Sequence, residues 1–558
     1  VAERRRHLER RRPSRERAKD GLTRRGLLRA GGAGAGAGIA GMALRRPRSA
    51  GAQPAGGLDA RNALLIVTSA MRADFVGVYD DSDDLAETPN LDDLSGSSLR
   101  FEHAVPESMP AVSARRALLT GQRAYPFRDW RPTEGFPTRV GWNPIYDHQP
   151  LLTEALSNAG VHTAYCTDNP FLIGPNFANF ARSVDDFRPD FSQGAYRGFN
   201  RPLGDSVSTA DLQRYLFPQL AGTDAVERLR GHVAYNRANR RREDDYPAAR
   251  VMRSAMRTLE TVRERQPFFL GVDTFDPGPP FDPPPSYLAR FDDYGGEIEP
   301  IMPFAYPSSR VGEVGLDGRT VERVRQLYAA KVTFVDRWIG RLLDKLDKLD
   351  LLDTTLVYLV SDQGIALGEQ GVIGTTLKPG HSEVYEVPHM IRHPDGERAG
   401  DTSDYFAMTH DIAPTLLAHM GIPRPGQMEG EDLTAFFDDD DPALARPHFT
   451  TGFEREVLVG DRRWLTTATS RGDDKRLYDT DEDDISEREQ GIRELREERG
   501  RANAMWMEAV DDAGGTMPLF GEQGAIRPPP ERKEDADLDF DADDPEDLDA
   551  GDDDAEGR

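Results

Sequence analysis

The sequence predicts an α/β sandwich, a mainly parallel sheet with helices on both faces, and beyond it a small antiparallel sheet. Short apolar runs without polar alternation recur at Ala63-Leu64-Leu65-Ile66-Val67, His162 to Cys166, Phe268-Phe269-Leu270-Gly271-Val272 and Leu356-Val357-Tyr358-Leu359-Val360. Runs of that kind suit strands covered on both sides, as parallel strands are. The segments between them have helical spacing. The clearest helix is expected from about Thr320 to Leu349, where Val324, Leu327, Tyr328, Val335, Trp338, Leu342 and Leu346 fall near one stripe. Strands alternating with helices make a layered sandwich whose sites lie beyond the C-terminal ends of the strands. Further on, Glu456-Val457-Leu458-Val459 and Arg463-Trp464-Leu465-Thr466 flank a Gly460-Asp461 turn and read as an antiparallel pair. Ser486 to Asp511 reads as a surface helix with Ile492, Leu495 and the Met505/Trp506 region apolar.

A chain of 558 residues exceeds one ordinary domain. The composition divides it into a basic N-terminal tail at 1–57, the main α/β domain at 58–445, a small subdomain with a helix at 446–525, and an acidic tail at 526–558. Disorder is expected at both ends. Lys+Arg 70 against Asp+Glu 97 gives a net charge of −27. That charge argues against nucleic acid or anionic lipid as partners, since both would be repelled. No protein partner is identified by the sequence. The acidic tract from about Glu534 to Glu556 reads as a solvated low-complexity segment.

A single cysteine, Cys166, excludes an internal disulfide and reads as a small buried strand residue. Thr23-Arg24-Arg25-Gly26-Leu27-Leu28 has a twin-arginine layout, followed by a charge-free Gly/Ala-rich run from Ala30 to Leu44 and small residues at Ala50-Gly51-Ala52. The expectation is export to an extracytoplasmic or secreted location; the plainer alternative is an Arg/Gly-rich tail. The apolar run is too short to span a bilayer stably, so no transmembrane segment is expected in the mature chain.

Several blocks occur in an order that resembles the sulfatase family of the alkaline phosphatase superfamily. They are Thr88-Pro89-Asn90-Leu91-Asp92, Phe101-Glu102-His103-Ala104, Arg115 to Gly121, Phe275-Asp276-Pro277 with Phe281-Asp282-Pro283-Pro284, Ser361-Asp362-Gln363-Gly364 with Gly368-Glu369-Gln370-Gly371, Asp411-Ile412-Ala413-Pro414-Thr415-Leu416-Leu417, and Leu477-Tyr478-Asp479. The resemblance implies a sulfatase-like sandwich and a chemistry in which a divalent cation holds the ester oxygens while a nucleophile attacks in line.

The positions that the resemblance assigns to that chemistry depart from it. The family's acidic metal ligands after the first strand fall on Ser69-Ala70-Met71-Arg72, which brings no carboxylate. The nucleophile position falls on Ala111, whose methyl group cannot attack sulfur or phosphorus. Ser108 and Ser113 are near, with Ser113 displaced by two residues on a helix start and so on another face. A Lys and a His that arylsulfatases carry after a middle strand are missing from Thr167-Asp168-Asn169-Pro170-Phe171, and a subgroup histidine falls on Gly278. Arg115 matches the family's arginine, Asp362 keeps a metal position, Gln363 is a weak oxygen ligand, and Lys378 matches the family's late lysine, with His381 three residues on; without the resemblance these two read as an ordinary polar loop. Asp74, Asp273 and Asp276 could rebuild a cation site; the plainer reading makes Asp74 a loop bracket and the other two turn residues.

These departures point to an exported sulfatase-like pseudoenzyme, with no cofactor expected. It would bind an anionic small molecule, such as a sulfate or phosphate ester, through Arg115, Lys378 and Arg72, or serve a partner. One alternative is an active ester hydrolase with a relocated nucleophile and a rebuilt site for Ca or Mg. Another is a structural envelope protein whose acidic tail serves association or solubility in salt.

Overall fold

Strand β1 (Asn62–Ser69) is buried along its whole length because it lies inside an eight-stranded sheet covered on both faces. After it come helix α1 (Pro89–Ser95), strand β2 (Leu99–Val105), helices α2 (Ala111–Thr120) and α3 (Leu152–Asn158), and strands β3 (His162–Thr167) and β4 (Asp186–Pro189). Helix α4 (Pro247–Val262), strand β5 (Phe268–Pro277), helix α5 (Gly318–Lys348), strands β6 (Thr355–Ser361), β7 (His389–Arg392) and β8 (Thr402–Met408), and helix α6 (Ile412–His419) complete the main body. This computed structural model describes residues 61–79, 86–193, 207–213, 215–217, 225–237, 240–291, 309–312, 315–377, 382–438, 444, 446–480, 489–490, 496–520 and 526–527. The twin-arginine segment, the Gly/Ala-rich run, the acidic tract, Lys378 and His381 lie outside the described residues. The helix expected from Ser486 is overturned at its start, since Glu489–Gln490 pair as a strand with Leu477 and Tyr478, and the described helix is Arg496–Asp512.

The strand order is β8-β2-β7-β6-β1-β5-β3-β4. Pairing is parallel throughout except at β7, which runs antiparallel to both its neighbours, so the sheet is mixed. Successive side chains of a strand point to opposite faces. Ala63, Leu65 and Val67 therefore enter one core with Val112 and Leu119 of α2, Leu152 and Leu156 of α3, and Leu416 and Leu417 of α6. Leu64 and Ile66 enter the other, with Met252 and Leu259 of α4 and Tyr328, Val335 and Trp338 of α5. Two covered faces are the reason that the run shows no polar alternation.

Helix α5 begins two residues before the expected start, where the Asp317 side chain accepts the Thr320 amide at 2.8 Å. Its apolar stripe is buried. Asp336, also on α5, accepts the amides of Asn90 at 3.1 Å and Leu91 at 2.8 Å, so the Thr-Pro-Asn-Leu-Asp block opens α1 with its first-turn donors satisfied. Cys166 is fully buried on β3, and burial pushes its thiol up to about 11, which makes it inert as a nucleophile at neutral pH.

The C-terminal sheet consists of β9 (Phe449–Phe453), β10 (Glu456–Gly460), β11 (Trp464–Thr469), β12 (Arg476–Asp479) and β13 (Glu489–Gln490), antiparallel and in chain order. The expected second strand thus begins one residue later, at Trp464. Helix α7 (Arg496–Asp512) buries Ala502, Met505 and Ala509 against this sheet. Phe449, Leu458, Leu465 and Tyr478 share a core with Val105 and Met408 of the main sheet. Asp411 adds a polar tie, receiving Arg446 at 2.7 and 2.8 Å and the amides of Met408 at 2.8 Å and Glu431 at 2.9 Å. Burial works against its charge, yet Arg446, His410 and these donors outweigh it and hold the carboxyl well below its ordinary value. Among the described residues no helix is long and apolar enough to cross a membrane.

Gly271 in β5 makes room for a ring. A Cβ built there would stand 2.1 Å from Cδ2 of the buried Tyr165 on the neighbouring strand. Gly271→Ala is expected to lower stability by about 1–3 kcal/mol in urea unfolding; an unchanged midpoint would mean that Tyr165 can shift without penalty.

Candidate active site

The ends of β1, β5 and β6 and the start of α2 meet at one place. Ser69 closes β1, and Ala70 follows with φ of 59°, a left-handed conformation uncommon for a residue with a side chain. That turn aims the chain at Asp362, the residue after β6. Ser69 Oγ donates to Asp362 Oδ2 at 2.7 Å, and the Ala70 amide donates to Asp362 Oδ1 at 2.9 Å. Tyr328 of α5 steadies the turn from outside, donating to the Ala70 carbonyl at 2.6 Å and accepting the Arg72 amide at 3.0 Å.

Arg115 reaches this point from the second turn of α2. Its Nε and Nη2 donate to the two oxygens of Asp273, each at 2.8 Å, in a planar bidentate pair. Nη1 donates to Asp362 Oδ2 and, at 3.2 Å, to the Ala111 carbonyl one turn back. Tyr165, fitted over Gly271, donates its phenol to Asp273 Oδ2 at 3.2 Å. Arg115 and Asp273 are 0% exposed and Asp362 1%. Burial raises the Asp362 carboxyl above its ordinary value, opposed by Arg115, the Ala70 amide and the Ser69 hydroxyl. Arg115 stays protonated, because Asp273 and Asp362 outweigh the burial that would weaken its charge.

Ala111 opens α2 beside this cluster and is buried. Ser113 does not face it; its hydroxyl donates to the Pro110 carbonyl at 2.9 Å. Ser108 is buried too. Arg72 is 3% exposed and committed to Asp74 and Glu369, with Glu369 at 2.8 Å. Its counter-ions therefore come from the loop and from the Gly-Glu-Gln-Gly block. Gln363 donates to Thr375 Oγ1 at 3.3 Å.

Asp273 and Asp276 are not turn residues: both lie within β5, fully buried, and each carries a cation. Asp276 receives Lys331 of α5 at 2.7 Å, Gln193 at 2.9 Å and the Ala248 amide at 3.2 Å. Lys331 also donates to the carbonyls of Gly278 and Pro280. At Gly278 a Cβ would stand 2.5 Å from the Phe275 carbonyl oxygen, so this backbone has no room for a side chain there. Asp168 accepts the Phe275 amide at 2.7 Å; burial, with Asp276 nearby, raises its carboxyl well above the ordinary range. Asp282 gathers His232 at 2.7 Å, Arg240 at 2.5 Å and Arg237 at 3.2 Å.

The sequence reading missed these partners. A signal was available for one of them: Lys331 sits three or four residues from Tyr328, Leu327 and Val335, inside the apolar stripe of α5, where a lysine demands a buried counter-ion.

A family that binds calcium or magnesium here would need several free carboxylate oxygens. The residues present do not fit such an ion. Both oxygens of Asp362 are taken by Ser69, Ala70 and Arg115, both oxygens of Asp273 by Arg115 and Tyr165, and the Ala70 side chain carries no oxygen to offer an ion.

Comparisons with known proteins bear on the whole body. The sequence model of the family described as Sulfatase matches residues 61–422. The multifunctional alkaline phosphatase superfamily protein PehA of Trinickia caryophylli is 25% identical over 454 residues, which are 74% of this chain and 84% of that protein. An arylsulfatase of Clostridium perfringens is 24% identical over 401 residues, 67% of this chain and 77% of its own. A structure solved with its substrate D-glucosamine-2-N,6-O-disulfate superposes with a TM-score of 0.59 at 17% identity, covering 82% of this chain and 98% of that one.

The Lys331 and Asp276 pair yields a measurable consequence. Lys331→Met leaves the buried Asp276 carboxylate without its cation and is expected to cost about 3–5 kcal/mol in urea unfolding, most of it recovered in Lys331→Met/Asp276→Asn. Equal losses in the single and double variants would show that packing of the lysine stem, not charge, accounts for the effect.

Proposed function

The chain belongs to the sulfatase family, and from that premise we propose that it is an exported member that no longer hydrolyses esters and keeps the fold for binding. The observation that carries this reading is Ala111, which stands buried at the first position of α2, where the family's pattern calls for the nucleophile. Catalysis by this route needs an oxygen or sulfur at that point, and a methyl group supplies neither. The hydroxyl nearest in sequence, on Ser113, is turned to the Pro110 carbonyl. The oxygens that would hold an ion are already donated to, which removes the electrophilic half of the chemistry as well.

A retained binding role would concern anionic esters, the class to which the disulfated glucosamine of the solved relative belongs. Arg115 and Arg72 already carry carboxylate partners, so such a ligand would draw on cations beyond them. Support for export comes from the twin-arginine layout at Thr23 to Leu28 and the run that follows it. The arylsulfatase among the relatives favours the second reading, an active ester hydrolase with a relocated nucleophile.

Turnover decides between them. Purified protein given p-nitrophenyl sulfate, p-nitrophenyl phosphate and a phenylphosphonate monoester, with calcium, magnesium or manganese present, is expected to release no more nitrophenol or phenol than buffer. Ala111→Ser is expected to remain inactive while Arg115 still bridges its two carboxylates. A metal-dependent rate that Ser113→Ala abolishes would establish the hydrolase instead.

A further inference from the structure

A divalent ion placed beside Arg115 would set three positive charges against the two carboxylates of Asp273 and Asp362, in a space closed to water. The acidic residues that would balance it after the first strand are absent, since Ser69 and Ala70 stand there. Arg115 alone leaves the opposite surplus, one negative charge over two carboxylates. Three neutral donors converge on that surplus: the Ser69 hydroxyl and the Ala70 amide on Asp362, and the Tyr165 phenol on Asp273. Buried charge persists only where every lone pair and proton is matched, and here donors surround both carboxylates. The planar fork of a guanidinium covers one carboxylate edge-on while its remaining nitrogen reaches the other, a span that a lysine ammonium does not reproduce.

We infer that the Arg115 guanidinium is the resident cation of this site, joining Asp273 within β5 to Asp362 just after β6 in place of a divalent ion. The folded chain accordingly holds no divalent ion on Asp362, and its stability is indifferent to chelators. This goes beyond the non-catalytic reading, because it concerns what neutralises the two carboxylates. Ester turnover without a bound ion would end that reading and leave this one standing, whereas a bound ion without turnover would do the reverse.

The test uses the full chain, dialysed in turn against calcium, magnesium and manganese and then assayed by elemental analysis. Because acidic residues elsewhere collect ions loosely, Asp362→Asn serves as the comparison. The expected result is the same ion content in wild type and Asp362→Asn, with a wild-type melting temperature unmoved by excess EDTA. One ion per chain that disappears in Asp362→Asn would overturn the proposal. Arg115→Met is expected to melt lower than wild type, or to fail to fold, since it leaves two buried carboxylates without a cation. Arg115→Met/Asp273→Asn/Asp362→Asn removes the charges together and is expected to fold. If that triple variant stayed unfolded, Arg115 would be acting through its packing, and its assignment as the resident cation would fall.

Discussion

A single guanidinium shared by two fully buried carboxylates sets the terms for everything around it. Asp273 within β5 and Asp362 just after β6 would otherwise face each other as like charges in a medium that screens little, and Arg115 turns that repulsion into the tie between them. The geometry has prerequisites in other elements. Ala70 must take a left-handed turn for its amide to face Asp362, and α5 must deliver Tyr328 to hold that turn. Gly271 must lack a side chain so that Tyr165 can lie across β5 and reach Asp273. A change in any of these would take a donor from a buried carboxylate, at the cost of an unmatched lone pair.

The same solution recurs one layer out. Asp276 is matched by Lys331 from α5, and Asp282 by Arg240, Arg237 and His232. Burial lowers His232 to about 4, so at neutral pH it takes part as a neutral donor to Asp282 and adds no charge to that cluster. For Asp168, by contrast, burial raises the carboxyl well above its ordinary value. Among the described residues, the charged side chains near the strand ends where α/β sheets place their sites are thus held in internal pairs. A ligand would have to compete with those pairs for the same side chains.

How much of this the sequence disclosed depends on the range of the interaction. Local patterning revealed β1, β3, β5, β6 and the long helix α5 to within a few residues, since burial on two faces and a helical stripe are written in consecutive positions. The mixed character of the sheet was not legible, because the direction of β7 depends on pairing with distant strands. Arg115, Asp362 and Ala111 were singled out through the family pattern, whereas Asp273 was read as a turn residue. Asp-Pro and Gly-Pro steps just after it look like loop punctuation, and only its pairing with Val67 and Thr167 of distant strands shows that β5 continues through it. Lys331 was the exception, a long-range partner that a charge in an apolar stripe already announced.

The blocks that match the family and those that depart from it divide by physical role. Asn90 and Leu91 of the first block are bound to Asp336, Asp411 ties Arg446 to the main sheet, Asp479 pairs with Arg463, and Glu369 holds Arg72. Each of these residues makes contacts that the folded body needs whether or not any ester is cleaved. The departures fall at Ser69, Ala70, Ala111, Gln363 and Gly278, where the matching residues of a hydrolase would touch an ion or a substrate. Gly278 is informative because its backbone has been drawn against the Phe275 carbonyl and its own carbonyl given to Lys331, an arrangement that a histidine could not enter without moving both. Among the described residues the carboxylates beside Arg115 are held by internal donors from β1, β3 and α2, so the contacts that the matching blocks supply and those at the departing positions meet in one buried network.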